Sequence, residues 1–329
     1  METFLSTLTP MATLFFCIAV GFVLKKANVF SGDAGKVMAK MVTWVFFPAL
    51  NFVTMARYCT VDTLSLHATN LVLSSISVAL AMSIAIFLSR YFVKQKCAEL
   101  GIYRYALTFA NSGYVGDPIV LAMFGDAALA QYKLFCLPLT LVIYTWGTSI
   151  LTPSDANKGS AFKRLLNPTT TAMLCGIVVG LLGVGDRMPA FLNSTLDSFK
   201  ACMGPVAMLL AGVTIARYDF IGMLKKAKVY IATALRLVFI PVVLIAALYG
   251  LKTLAGQLFG LSIDNDVLFL CFFACATPLG LNTVIFPEAY GGDPETGASM
   301  AMISHTLCVV SIPVLYAVMV ALFGAPFGG

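Results

Sequence analysis

Two apolar stretches of this chain are interrupted where a membrane-crossing helix would have to run unbroken. The first interruption is Asn111-Ser-Gly-Tyr-Val-Gly-Asp-Pro118 and the second is Thr277-Pro-Leu-Gly-Leu-Asn-Thr283. Each places glycine, proline and an uncharged amide inside a hydrophobic segment, so Gly113, Gly116, Pro118, Pro278 and Gly280 are the expected helix-breaking residues. In hydrocarbon every backbone N–H and C=O needs a partner, and non-helical backbone survives only inside protein or beside a watery cavity. Two such breaks, one in each half of a chain, point to the substrate site of a secondary transporter.

The composition agrees with a membrane setting. Hydrophobic residues make up 60% of the 329 positions and charged residues 11%, with a mean hydropathy of +0.92, far outside the range of a soluble domain. A bilayer-crossing helix requires about 20 apolar residues. Windows of about that length recur at roughly 4–24, 37–56, 69–92, 103–123, 134–151, 165–184, 196–215, 229–251, 267–286 and 298–323. The expectation is an all-α integral membrane protein of ten transmembrane helices, with loops too short for a soluble domain. Of the 21 basic residues, 14 fall on one side of this topology, five (Arg57, Lys133, Arg187, Lys200 and Lys252) on the other, and Lys40 and Arg236 within spans. The positive-inside bias then places both termini outside the cytoplasm of a plasma (cell inner) membrane. The net charge of +6 follows from the cytoplasmic lysines and calls for no nucleic acid. Nine scattered cysteines without a CxxC pair read as small packing residues, and no metal or cofactor is expected.

Ten spans divide into five and five, and duplicating an odd-numbered unit turns the second copy upside down in the membrane. The first repeat is expected over 1–151, a short cytoplasmic loop over 152–164, and the inverted second repeat over 165–329. Val53-Thr-Met-Ala-Arg-Tyr58 and Val213-Thr-Ile-Ala-Arg-Tyr218 echo each other at the ends of the second and seventh spans, preceded by Pro48 and Pro205. Pro10 and Cys17 match Pro168 and Cys175 at the same spacing. The fourth and ninth spans, which hold the breaks, are equivalent members of the two halves.

These residues resemble the auxin efflux carrier family of the bile-acid/arsenite/auxin-efflux superfamily. The run from Asn111 to Pro118 is similar to that family's Asn-x-Gly-x-x-Gly-x-Pro signature, and Phe47-Pro48-Ala49-Leu50 to its Pro-Ala-Leu run. Gly204 to Gly212 resembles its Pro-x-Ala-x-Leu-x-x-Gly pattern, and Pro278 to Pro294, with Tyr290-Gly291, its ninth span and following loop. The resemblance implies a scaffold bundle of helices 1, 2, 6 and 7 and a transport bundle of helices 3–5 and 8–10. Helices 4 and 9 would cross at mid-membrane, with a small organic anion bound nearby and carried by elevator-type alternating access. Auxin-like acids or dicarboxylates are the implied substrates, and the short loop at 152–164 matches bacterial-type members. A homodimer is left open, because apolar outer faces hide any subunit contact among lipid contacts.

The expected substrate-binding residues are Asn111, Asn282, Thr283 and Asn51. An amide offers two donors and an acceptor, which suits a carboxylate without burying a permanent charge, and half-helix N-termini add partial positive charge. No Lys or Arg lies centrally in the expected fourth or ninth span, so binding is expected to rest on amides, hydroxyls and helix ends. The plainer alternative is that the asparagines only cap backbone groups freed by the prolines. Asp117 has two readings: an N-cap with Pro118 at the first helical position, or an intramembrane carboxylate for proton or cation (sodium) coupling. His305, in the tenth span, is a second coupling candidate, unless Ser304 and Thr306 satisfy it inside the bundle.

Rival readings are a sodium-coupled symporter of the bile-acid branch and a membrane ligand sensor or channel. Asp186 and Asp219 superficially match an intramembrane aspartyl protease pair, but the topology puts them on opposite faces of the membrane. No HExxH, GxSxG or P-loop occurs, so no enzyme activity is expected.

Overall fold

The computed structural model describes residues 2–30, 33–94, 97–151, 166–217, 227–283 and 294–327. The expected loop at 152–164, Asp219, and Tyr290-Gly291 therefore lie outside the described residues. The described chain is helical, with one isolated antiparallel bridge between Ala110 and Leu279. Its helices are α1 (Glu2–Lys26), α2 (Ala34–Tyr58), α3 (Leu64–Phe92), α4 (Ala98–Thr108), α5 (Ser112–Phe135) and α6 (Leu137–Leu151). They continue with α7 (Pro168–Leu181), α8 (Ala190–Ile215), α9 (Ala227–Phe259), α10 (Asp266–Ala276) and α11 (Pro294–Phe323). Among the described residues α2, α8 and α9, with 68–92 of α3 and Thr296–Phe323 of α11, are each long and apolar enough to cross a bilayer. The bent pair α5–α6 passes the same test together. Large apolar side chains such as Phe16, Trp44, Phe87, Tyr91 and Phe191 stand exposed, as a lipid-facing surface requires. This is a multi-pass, all-helical membrane protein.

Three of the prolines inside these helices are handled by one recurring device, whereas Pro205 and Pro313 stand in uninterrupted α-helix. Each of the π turns Val42–Phe46, Ser112–Gly116 and Leu235–Phe239 is followed two positions later by a proline: Pro48, Pro118 and Pro241. In each, the residue before the proline donates its N–H five positions back, to Val42, Ser112 or Leu235. A proline lacks the N–H for the usual i→i−4 bond and its ring crowds that carbonyl. A π turn widens the helix there and removes the conflict.

The expected fourth and fifth spans need correction. Gly125 interrupts α5 with φ 77° and ψ −172°, so its two arms, 112–124 and 126–135, double back on each other. Only glycine adopts such a φ cheaply. Tyr132 and Lys133 of the second arm bond Ser112 and Asp117 of the first, contacts that a straight helix of this length forbids. The chain thus reverses at Gly125 rather than near 134, where the expected fifth span began. Lys133, expected at the outer surface, is buried about 12 Å along the second arm from that turn, at 1.5 Å per residue. Of the other basic residues assigned outside, Arg57 sits in the last turn of α2 and pairs with Asp197 at 2.9 Å, while Lys200, ten residues into α8, pairs with Asp126. Of the two bases expected within spans, Lys40 is exposed and Arg236 is buried, its guanidinium nitrogens without hydrogen-bond partners.

Glycine lets the helices that flank the site approach backbone to backbone. A Cβ at Gly176 of α7 would stand 2.6 Å from the Phe52 carbonyl of α2, and one at Gly180 2.5 Å from those of Met55 and Cys59. Gly21 of α1 likewise lies against the Leu209 carbonyl of α8, and Gly212 of α8 against that of Ile18. This is small-residue packing, the usual means of bringing membrane helices together. Gly180→Val is expected to lower stability by about 1–3 kcal/mol through overpacking against a carbonyl that cannot move aside. Gly250→Ala, at an open position, is expected to cost nothing. Thermal unfolding of the two purified variants checks the contrast.

Candidate functional site

The two sequence breaks meet. Thr277 ends α10 in an extended conformation (φ −67°, ψ 157°), as a residue before proline prefers. The Asn111 N–H donates to the Pro278 carbonyl at 2.7 Å, beside the Ala110–Leu279 bridge. Side chains take up the other freed groups. The Leu279 N–H donates to Ser304 Oγ at 3.1 Å. The Tyr132 hydroxyl lies 3.1 Å from the Ser112 carbonyl and 3.2 Å from that of Phe273, one on each side of the junction.

At the first run the non-helical stretch is 109–111, and Gly113, Gly116 and Pro118 lie beyond it in helix. The helix restarts early because Asn111 caps it: Oδ1 accepts the Tyr114 N–H at 3.3 Å and its carbonyl accepts Val115 N–H at 3.0 Å. The glycines serve close approach instead. A Cβ at Gly113 would stand 2.8 Å from the Phe47 ring, and one at Gly116 would collide with the Tyr132 hydroxyl.

Around this junction α2, α6 and α7 complete a cavity of about 80 Å³, room for several waters at roughly 10–15 Å³ each. Asn51, Asn111, Asn282, Tyr105, Asp117 and Lys133 line it, with the hydroxyl residues Thr140, Tyr144, Thr169 and Thr170. Asn111 Nδ2 reaches His305 Nε2 at 3.3 Å, and His305 Nδ1 lies 2.7 Å from the Ala301 carbonyl. Nδ1 is thus the donor and Nε2 the acceptor of a neutral ring, which leaves Asn111 its second N–H. Asn282 Nδ2 donates to the Tyr105 hydroxyl at 2.9 Å, also keeping one N–H. Asn51 is buried and its Oδ1 has no hydrogen-bond partner.

Thr283 is placed differently. It is fully buried, its hydroxyl donates to the Gly280 carbonyl at 3.0 Å, and it does not line the cavity. Nor do Ser304 and Thr306 satisfy His305. Ser304 holds Leu279 and donates to Ala301, while Thr306 donates to Met302.

Asp117 is not the N-cap that its position before Pro118 implies. Its φ and ψ (−55°, −52°) are helical, and its carboxylate forms a buried ion pair with Lys133. Both residues lie eight positions from Gly125, so a hairpin turning there sets them side by side. Lys133 Nζ also lies 4.4 Å from the centroid of the Phe47 ring, which stacks on Tyr114 at 5.6 Å. The cavity therefore holds a cation that the expected span boundaries had excluded. The signal for it was Gly125-Asp126, a turn pair at the middle of an otherwise apolar run. Tyr105 and Tyr132 were missed because nothing local separates a bridging tyrosine from a packing one.

Removing one partner of a buried pair leaves an uncompensated charge, at about 3–5 kcal/mol. Asp117→Leu is accordingly expected to destabilise the protein by about that much, and Asp117→Leu with Lys133→Met to recover most of the loss. Thermal unfolding of the two single variants and the double variant measures the coupling.

A helical membrane protein whose two broken helices meet over a buried polar cavity belongs to the class of transporters. The sequence comparison agrees: the family model described as "Membrane transport protein" matches residues 6–159 and 156–316. The chain belongs to this family, the auxin efflux carriers. It is 23% identical over 323 residues to the "Uncharacterized transporter YfdV" of Escherichia coli (strain K12), covering 94% of this chain and 96% of that one. It is 21% identical over 203 residues to the "Uncharacterized transporter MJ1031" of Methanocaldococcus jannaschii, covering 60% of this chain and 66% of that one.

Proposed function

We propose that the chain is a secondary transporter of a small organic anion, a carboxylate of auxin-like or dicarboxylate type, working by alternating access. The observation that carries this reading is the cavity where the two breaks meet. It is small, buried, and lined by three asparagine amides, several hydroxyls and one ammonium. Asn111 and Asn282 each keep an N–H for a carboxylate oxygen, and Lys133 supplies the charge that amides lack.

Its walls come from both expected bundles: α2 and α7 on one side, and α4, α5, α6 and the second break on the other. A site on such a boundary suits an elevator in which one bundle slides past the other. The inverted repeat is supported by packing as well. The α1–α8 and α2–α7 contacts, each mediated by glycine, exchange under the repeat that equates the first span with the sixth and the second with the seventh. A sodium-coupled mechanism at Asp117 is less favoured, since a cation there would have to displace the Lys133 ammonium.

Uptake of radiolabelled malonate and indole acetate into proteoliposomes tests the proposal. Asn111→Asp keeps an oxygen to cap Tyr114 but replaces the N–H donors with negative charge. It is expected to fold and to reduce uptake to background, whereas Asn111→Ala should also lose about 0.5–2 kcal/mol of stability with the cap. Full carboxylate uptake by a folded Asn111→Asp protein would remove this cavity as the anion site.

A further inference from the structure

We propose that Lys133 anchors the substrate's carboxylate and that Asp117 is its resident counter-ion, so that a carboxylate on Lys133 and a proton on Asp117 enter and leave together. This rests on the cavity being the carboxylate site. Lys133 and Asp117 are 6% and 1% exposed, and both line that cavity. Both belong to the hairpin that turns at Gly125, so they travel as one unit in any rearrangement of the surrounding helices. The Phe47 ring holds Nζ from the α2 side, which keeps the ammonium in the cavity when its carboxylate partner is lost.

Charge balance dictates the exchange. An unpaired charge in a membrane interior costs several kcal/mol. The resting pair is neutral. A carboxylate arriving at an intact pair would leave the site one negative charge in excess, with two carboxylates competing for one ammonium. If Asp117 takes a proton from water, its bond to Lys133 breaks, and Nζ donates to the incoming carboxylate instead. The site is again neutral, now holding one ammonium, one bound carboxylate and one carboxylic acid. One proton then moves with each monocarboxylate, without net charge.

The groups facing Asp117 do not offer another route. Its own segment contributes Tyr114, Tyr132 and Cys136; α4 contributes Tyr105, whose hydroxyl accepts from Asn282, α6 contributes Tyr144, and α10 Cys275. From α11, His305 is held between Asn111 and the Ala301 carbonyl. α2 and α7 present Phe47, Asn51, Thr169 and Thr170 to the cavity, none of which titrates. On α8, Gly204 lies against Pro118, while Lys200 is paired with Asp126. Among the described cavity residues, Lys133 and Asp117 are therefore the charged pair.

The test is calorimetric titration of propionate and malonate into the purified full chain between pH 5 and 8, with and without sodium. The wild-type affinity for propionate is expected to rise as pH falls, by up to about tenfold per unit, the limit for one linked proton. Asp117→Asn should bind at the tight limit with no pH dependence. Lys133→Met should bind about 10- to 100-fold more weakly, the value of a charge-assisted hydrogen bond, and Lys133→Arg should retain binding. If Lys133→Met does not fold, Asp117→Asn with Lys133→Met removes both charges and should fold, binding propionate at least about 10-fold more weakly than Asp117→Asn alone. Wild-type affinity in a folded Lys133→Met or double variant, an unchanged pH slope in Asp117→Asn, or dependence on sodium in place of protons would overturn the exchange. Carboxylate binding indifferent to Lys133 would overturn this inference alone; no carboxylate binding by the wild type at any pH would overturn the anion reading with it.

Discussion

A helix interrupted inside a membrane leaves N–H and C=O groups without partners, each at a cost of several kcal/mol in hydrocarbon. This chain interrupts two helices and lets each interruption satisfy the other. The Asn111 N–H donates to the Pro278 carbonyl, the Ala110–Leu279 bridge continues the contact, and Tyr132, Ser304 and the Asn111 side chain take up neighbouring groups. Neither break is stable alone, so the meeting of 109–111 with 277–280 fixes how α4, α5, α10 and α11 are placed. α11 serves both at once, through Ser304 on one break and His305 on the other. The polar cavity follows from this arrangement, because the side chains flanking the breaks have nowhere else to converge.

The second constraint is electrostatic. Asp117 and Lys133 are each too costly to bury alone, and the reversal at Gly125 brings them together. The pair also explains how a carboxylate stands buried in this cavity: its charge is already met by an ammonium. Phe47 ties the pair to α2, and its ring needs the space that Gly113 leaves open. A glycine in the signature run thus matters for what packs on it more than for the break it was expected to make.

The sites of interruption were legible in the sequence because proline and glycine act locally. Thr277-Pro278 reads directly as an extended step, and the structure shows one. Pro118 read less well, since a π turn lets a helix carry a proline, and nothing in the residues themselves announces that turn. Asn51, Asn111 and Asn282 are brought to one cavity, whereas Thr283 turns back to Gly280. That difference depends on rotamer and local turn, which hydropathy does not encode. Lys133 was misplaced because a basic residue near a span end is ordinarily assigned to water, and burial by a partner sixteen positions away leaves no local trace.

What the sequence determined by itself was the solvent, the helical class, the two weak points and the family. These follow from composition, apolar run length and residues whose backbone preferences act within a turn or two. Only the tertiary structure decided that the two weak points satisfy each other, that Asp117 has a counter-ion, and that Asn111 is held by His305. Each of those is a contact between segments distant in sequence. The low dielectric that makes such contacts obligatory is a property of the folded interior, and no single segment carries it.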